Sequence, residues 1–546
     1  MARNQQIPMS KGLKQHIKLS STQNFSLKQK VGQLFMIAVF INDSEENVRE
    51  TENLIKENHI GALCFFHSRA SAATNFEGKK KVVYNENSYE RLVSLIARYQ
   101  KASPTPLLIA MDAEWGLAMR IENTPQYPYA LTLGALQNRE DLIRQVGYNI
   151  GQDCLEAGIH WNLAPVLDIN SNPENPVIGY RSFGDDKEQV TQNAKAFIAG
   201  MREAGVLNSL KHFPGHGDTN TDSHLALPVI DKSEENLLEN EIHPFQELMH
   251  EEADSIMIGH LSVPSLDPSG KPATLSKIIL TSLLREKLSY KGIIISDALN
   301  MHAVSKNFEQ KGALELAAFR AGMDMFCFSE NPKEAIENIV SECVAQRIES
   351  SFERVWELKK KAFNPANDIL KTEGASEKLN TEMAKACLTA LFAGENRIPP
   401  SVEDLQQIVF GEPKSGVFPQ YLEQGLKIQT SRINDRESER VQDSFENQKT
   451  TVLSVFPPSV KPKNGFGFTE KELETLNQML KRGNCLLYLF GNPLFLHTLH
   501  ISAQNSYILM YQDFPEFQEV AYSHFKGELV AEGRLPFQLK TNLHEN

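Results

Sequence analysis

Hydrophobic positions after residue 26 fall into short apolar runs of strand length, at 34–40, 61–66, 107–112, 159–165, 206–213, 255–259, 292–297 and 323–328. Between them lie stretches in which apolar residues recur every three or four positions, at 47–57, 89–100, 141–157, 190–203, 237–250, 280–288 and 313–320. The alternation of the two periods predicts strands separated by amphipathic helices. A further amphipathic stretch, 332–343, follows the eighth run, and helical sequence continues through 348–361.

Eight strand-plus-helix units in about 320 residues match an α/β fold of the (β/α)8 TIM-barrel type with a few enlarged loops. A doubly wound open sheet is the alternative. In a barrel the C-terminal ends of the strands share one face, where chemistry collects. Ionisable residues obey that rule: Asp112 ends the third run, Lys211 and His212 the fifth, His260 the sixth and Asp297 the seventh.

The periodicity predicts a polar N-terminal arm over 1–25, a catalytic barrel over 26–363, a linker over 364–380 and a smaller C-terminal α/β domain over 381–546. Strand candidates in the last are 408–411, 452–456, 486–490 and 507–511, with a helix over 471–481 whose Thr469 and Glu472 are spaced as a capping box. Another helix is expected after Pro515. The polar, charged stretch 412–449 reads as a long loop or mobile segment.

Length and charge narrow the picture. At 546 residues the chain exceeds one ordinary core, and two domains are the expectation. A formal net charge of −13 argues against a nucleic-acid or anionic-membrane partner, because a phosphate surface would repel it. No apolar run approaches the roughly 20 residues that span a bilayer. Residues 1–26 carry no apolar segment of the secretory kind, so the chain as given reads as cytoplasmic, the alternative being an exported form whose signal has been removed. The six cysteines are scattered without metal-binding spacing and read as buried free thiols.

The densest chemistry lies in Lys211-His212-Phe213-Pro214-Gly215-His216-Gly217, followed by Asp222-Ser223-His224. Residues two apart in an extended loop point the same way. Asp222 can therefore hold one imidazole nitrogen of His224 and leave the other for a substrate, which fixes the tautomer and raises the pKa as an acid/base catalyst requires. The same aspartate could instead cap the turn that follows. His216 is expected to order the loop, and Lys211 could be a charge partner inside the barrel mouth. His212, His216 and His224 with Asp222 could also ligate a metal, but no HExxH or first-strand His-x-His accompanies them, and no metal or other cofactor is expected. Asp297 directly follows Ile293-Ile294-Ile295-Ser296. A carboxylate there is costly to bury unless satisfied and used; the alternative is a helix N-cap.

Taken together, KHFPGHG-x4-DSH, Ile295-Ser296-Asp297-Ala298-Leu299, Ala164-Pro165-Val166-Leu167-Asp168-Ile169 and Val177-Ile178-Gly179-Tyr180-Arg181-Ser182-Phe183 resemble the β-N-acetylglucosaminidases of glycoside hydrolase family 3 over about residues 26–360. The resemblance implies a retaining hydrolase of terminal N-acetylglucosaminides, with peptidoglycan fragments as a natural source. Asp297 would be the nucleophile, and His224, supported by Asp222, the acid/base. Asp112, Arg120, Arg181, Lys211 and His212 would bind the sugar. The usual scheme pairs two carboxylates; a histidine that has given up its proton is neutral and repels phosphate less, so a phosphorylase or a β-glucosidase of the same family is the alternative. The third-strand motif departs from the family's DQEGGRV, reading Asp112-Ala113-Glu114-Trp115-Gly116-Leu117-Ala118. Trp115 could stack on a sugar ring or plug the barrel mouth. The C-terminal domain, ending in Gly533-Arg534-Leu535-Pro536-Phe537, is expected to be structural or to wall the substrate cleft.

Overall fold

A computed structural model of the protein describes residues 25–67, 83–219, 227–363, 374–392, 402–433 and 449–539. Eight short parallel strands form its first half: β1 (Phe35–Phe40), β2 (Ala62–Phe66), β3 (Leu108–Met111), β4 (Trp161–Asn162), β5 (Leu210–Phe213), β6 (Ser255–Ile258), β7 (Ile293–Ser296) and β8 (Phe326–Cys327). Hydrogen bonding orders them β4-β3-β2-β1-β8 and β5-β6-β7. Parallel bridges Trp161↔Leu207 and Ile295↔Met325 join the two groups at both seams, so the sheet closes on itself. Such a sheet is buried on both faces, which is why its strands read as continuous apolar runs rather than alternating ones. The expected barrel is therefore present, with β4 and β8 shorter than their apolar runs.

Helices cover the outside because each presents one apolar stripe. Glu45–Asn58 starts on Ser44, whose side chain accepts from Asn47 N, and Lys187–Ala204 starts on Asp186 and stops at Gly205 in the left-handed conformation. The stretch 237–250 is not one helix but two, Glu234–Glu239 and His243–Leu248. Pro244, which has no N–H to give, sits where a second helix can begin but a continuous one cannot pass. Segment Ile278–Lys287 winds with π-type hydrogen bonds.

The second sheet runs β11-β10-β12-β13-β14-β9, from strands β9 (Thr389–Leu391), β10 (Leu405–Phe410), β11 (Gln429–Ile433), β12 (Thr450–Val455), β13 (Cys485–Leu489) and β14 (Ser506–Leu509). All pairs are parallel except β14 with β9. The capping box forms: Glu472 N donates to Thr469 Oγ1 at 3.3 Å and Thr469 N to Glu472 Oε2 at 2.9 Å. One reading is corrected. The stretch 412–449 is not all loop, for β11 lies within it; as an edge strand with mostly solvent-facing residues it lacks an apolar run. Of the expected linker, residues 375–380 open the helix Ala375–Cys387, and 364–373 lie outside the described residues.

The two halves meet over backbone and side chain. Gln512 Nε2 donates to Thr132 Oγ1 at 2.7 Å, Arg534 N to Ala135 O at 2.9 Å and Asp185 N to Pro536 O at 3.0 Å. All six cysteines are free thiols, five buried and Cys343 half-buried. No described helix is long and apolar enough to cross a membrane.

Candidate active site

The C-terminal end of the barrel gathers the charged residues, and the strands dictate why. Asp112 directly follows β3, and Glu114, two residues on, lies on the same side of the extended chain. Lys211 and His212 are adjacent inside β5, where successive side chains should face opposite ways. A register shift against β6 falls between Lys211 and Phe213. That irregularity re-aims a side chain, as bulges do, and the two residues reach different carboxylates, Lys211 that of Asp112 and His212 that of Asp168.

The cations and carboxylates interlock. Lys211 Nζ donates to Asp112 Oδ1 at 2.9 Å and pairs with Glu114 Oε1 at 2.7 Å. Arg120 donates to Asp112 Oδ2 at 2.9 Å. Arg181 grips Glu114 with both Nε and one terminal nitrogen, at 2.9 and 2.8 Å. Its other terminal nitrogen reaches Val177 O at 3.3 Å. His212 Nδ1 lies 2.7 Å from Asp168 Oδ2, and Asp168 Oδ1 accepts from the backbone N–H of His212 and His216.

Of the five residues expected to bind sugar, Asp112, Arg120 and Lys211 are thus directly joined and Arg181 enters through Glu114, while His212 forms a separate pair with Asp168. Glu114 and Asp168 were missed as site residues. A signal existed for each: Asp168 closes an apolar run as Asp112 and Asp297 do, and Glu114 shares Asp112's face. What the sequence hides is their partners, 67 and 44 positions away. Asn175 was missed as well. Its side-chain amide donates to His216 O, Gly217 O and Thr219 Oγ1, and its oxygen accepts from the N–H groups of Val177 and Ile178. It ties the β4 loop to the loop after β5.

Burial and charge oppose each other here, and charge wins. Burial alone would raise the Asp112 carboxyl, but Lys211 and Arg120 hold it well below the usual carboxylate range. Burial likewise raises Glu114, yet Arg181 and Lys211 bring it down to about 2. Burial would depress Lys211, but Asp112 and Glu114 push its ammonium up. The Asp168 carboxyl, raised by burial, is lowered overall by His212 and by His216. These groups therefore stay ionised, and a buried charge network so satisfied is rigid.

Asp297 directly follows β7 at the same end of the barrel. Its Oδ1 accepts from Ala298 N at 2.7 Å and its N–H donates to Ile258 O at 3.0 Å. It is not the N-cap of the next helix, His302–Ser305, whose cap is Met301. A hydrogen bond to Cys64 and burial hold the Cys327 thiol well above its ordinary value, and the charges of Asp297 and Asp112 add to that. His260, wholly buried, is bonded to Thr274 Oγ1 at 2.7 Å and to Ala298 O at 3.0 Å. His216 is bonded to Thr219 Oγ1 at 2.7 Å, and burial pushes its imidazole down to about 4. Among the described residues no group of His, Cys, Asp and Glu is arranged to hold a metal ion.

Asp222 and His224 lie outside the described residues, in the stretch 220–226. Trp115 packs edge-on against Tyr129, ring centroids 4.9 Å apart, and lies 5.8 Å from Tyr180. Between the β4 loop and the second domain is a cavity of about 350 Å³, whose walls include Glu174, Pro176, Lys463, Phe466 and Leu494.

A model of the glycosyl hydrolase family 3 N-terminal domain matches residues 26–358. The chain belongs to glycoside hydrolase family 3. It groups with the β-hexosaminidases of that family. β-Hexosaminidase A of Pseudoalteromonas piscicida is 35% identical over 291 residues, 50% of this chain but 47% of that protein. A β-hexosaminidase of Idiomarina loihiensis is 34% identical over 273 residues, 49% of this chain and 80% of the relative. A solved family 3 β-N-acetylglucosaminidase from Paenibacillus sp. str. FPU-7 superimposes with a TM-score of 0.75 at 25% identity, covering 94% of this chain and 99% of that one. The family 3 barrel and the second domain are thus both matched by one known architecture.

Proposed function

We propose that this family 3 hydrolase is an exo-acting retaining β-N-acetylglucosaminidase, cutting terminal N-acetylglucosamine from glycosides of the kind found in peptidoglycan fragments. The observation that carries the reading is the interlocked ring of Asp112, Glu114, Lys211, Arg120 and Arg181 at the end of the barrel where Asp297 closes β7. Vicinal hydroxyls of a terminal sugar suit a carboxylate that can accept two hydrogen bonds, with cations donating to the remaining oxygens. Demanding those hydroxyls free requires a chain end, hence exo action.

In the first step Asp297 attacks the anomeric carbon, the glycosidic C–O bond breaks, and His224 gives its proton to the departing oxygen. In the second, His224 takes a proton from water, whose oxygen displaces the Asp297 carboxylate; configuration is retained. Asp222 holds the imidazole in the tautomer that both steps need. The ionised network keeps the sugar oriented without changing charge during turnover. The second domain walls the leaving-group side, a role supported by the cavity between Glu174 and Lys463.

Assays on nitrophenyl β-glycosides test this directly. Turnover of the N-acetylglucosaminide with release of free sugar, lost on His224→Ala, supports the assignment. Faster turnover of the glucoside would favour a β-glucosidase, and a sugar 1-phosphate formed when phosphate is added would make the enzyme a phosphorylase.

A further inference from the structure

The polar ring occupies only one side of the barrel mouth. Going round from Asp297 on β7 through β6, β5 and β4 to Asp112 on β3, the strand ends carry Lys211, His212, Asp168 and, beyond β4, Arg181. Going round the other way, through the contiguous strands β8, β1 and β2, they carry phenylalanines, with His67 just beyond Phe66 paired to Glu122. Phe40 ends β1, Phe66 ends β2 and Phe328 follows β8.

These rings form a triangle. Centroids are 6.1 Å apart for Phe40 and Phe66, 6.0 Å for Phe40 and Phe328, and 5.3 Å for Phe66 and Phe328. Period two places Phe66 on the barrel's inner face, because its neighbour Phe65 points out to Tyr99 of the covering helix Ser88–Ala102. Phe40 is its register partner across the β1–β2 ladder. Phe66 and Phe328 are half-buried rather than sealed in the core.

Two further observations tie the triangle to the sugar site. The Arg120 guanidinium, which donates to Asp112, lies 5.3 Å from the Phe66 ring centroid, so one cation bridges the carboxylate and the aromatic wall. Phe328 has φ 53°, a left-handed backbone that a bulky residue adopts at a cost of about 1–3 kcal/mol. Strain of this kind clusters at ligand clamps, and here it falls on the ring nearest Phe66.

We infer that Phe66 and Phe328, with Phe40 behind them, form the subsite for the apolar C5–C6 edge of the bound hexose, and so select hexopyranosides in which C6 is present. The inference rests on the proposed placement of the sugar between Asp297 and Asp112. A ring spanning those two carboxylates turns its C2 edge to one arc and its C5–C6 edge to the other. The 2-acetamido group has a donor and an acceptor to satisfy and suits the arc of Lys211 and His212. The C5–H and the C6 methylene, rich in C–H and poor in polar atoms, suit the phenylalanines.

The experiment compares two nitrophenyl substrates on three enzymes: the 2-acetamido-2-deoxy-β-glucoside and its 2-acetamido-2-deoxy-β-xyloside counterpart, which lacks C6, on wild type, Phe66→Ala and Phe328→Leu. Wild type should prefer the substrate with C6 by about 10- to 200-fold in kcat/KM, as a hydrophobic subsite losing a methylene-sized group does. In Phe66→Ala that ratio should fall towards one, and in Phe328→Leu it should shrink. The ratio is internal to each enzyme, so loss of folded protein does not move it. An unchanged ratio in both variants would overturn the subsite while leaving the N-acetylglucosaminidase reading intact. Wild type inactive on both substrates would instead overturn that reading.

Discussion

The two ends of the barrel both bury charge, and to opposite purposes. At the N-terminal end Asp324, wholly buried just before β8, accepts from Arg285 at 2.5 Å, Arg354 at 3.0 Å, Arg347 at 3.3 Å and Ser351 at 2.6 Å, and from Ile294 N at 3.1 Å. Every acceptor position is filled by the protein itself. Nearby, Lys359 gives its protons to Gln33 Oε1 at 2.5 Å and Pro106 O at 2.7 Å. At the C-terminal end the carboxylates of Asp112 and Asp297 are only part-buried, and Asp112 is held by Lys211 and Arg120. Burial of a carboxylate does not by itself mark an active site. A carboxylate wholly enclosed by the protein holds strands and helices together, and one that keeps some exposure at the barrel mouth is the better candidate for chemistry.

That contrast can be broken at either end. Asp297→Ala should lower kcat by about 10⁴-fold or more, as loss of a nucleophile does, with an unchanged melting temperature; a large drop in Tm would make Asp297 another Asp324. Conversely, Asp324→Ala leaves three guanidinium groups facing a hole. It should cost about 3–5 kcal/mol in denaturant unfolding while the protein that remains folded keeps its kcat. Glu114→Gln tests the intermediate case, because it removes a charge shared by Arg181 and Lys211. A charge-assisted hydrogen bond contributes about 1.5–3 kcal/mol, so kcat/KM should fall about 10- to 100-fold, mostly through KM.

A change read against pH rather than as a rate belongs to Lys359, whose ammonium burial pushes down to about 7 from its ordinary 10.5. The unfolded chain then binds the proton more readily than the folded one. Stability from this group is complete above about pH 10.5 and is lost as pH falls toward 7. In wild type minus Lys359→Met, unfolding free energy should therefore rise between pH 7 and pH 9.5; a flat difference would mean that Lys359 stays charged in its hole.

The same contrast explains what was legible in the sequence. The barrel was readable because both faces of its sheet are buried, so Ile293-Ile294-Ile295 and its counterparts stand out as apolar runs ended by an ionisable residue. Strand β11 was not readable, since Arg432 and its neighbours face solvent at an edge and carry no apolar signal. At the site, Asp112, Lys211 and His212 could be named from motif and position. The roles of Glu114 and Asp168 could not, because each is defined by a partner that only the closed barrel brings near. Phe40, Phe66 and Phe328 looked like ordinary strand residues until closure put β8, β1 and β2 side by side.

The central claim is that Asp297 forms the covalent bond to the sugar. Incubating the enzyme with a 2-acetamido-5-fluoro glycoside, digesting it and measuring peptide masses tests that claim most directly. The account predicts one glycosyl adduct, on the peptide that carries Asp297. An adduct on another carboxylate, or release of the leaving group with no adduct formed at any time, would contradict it.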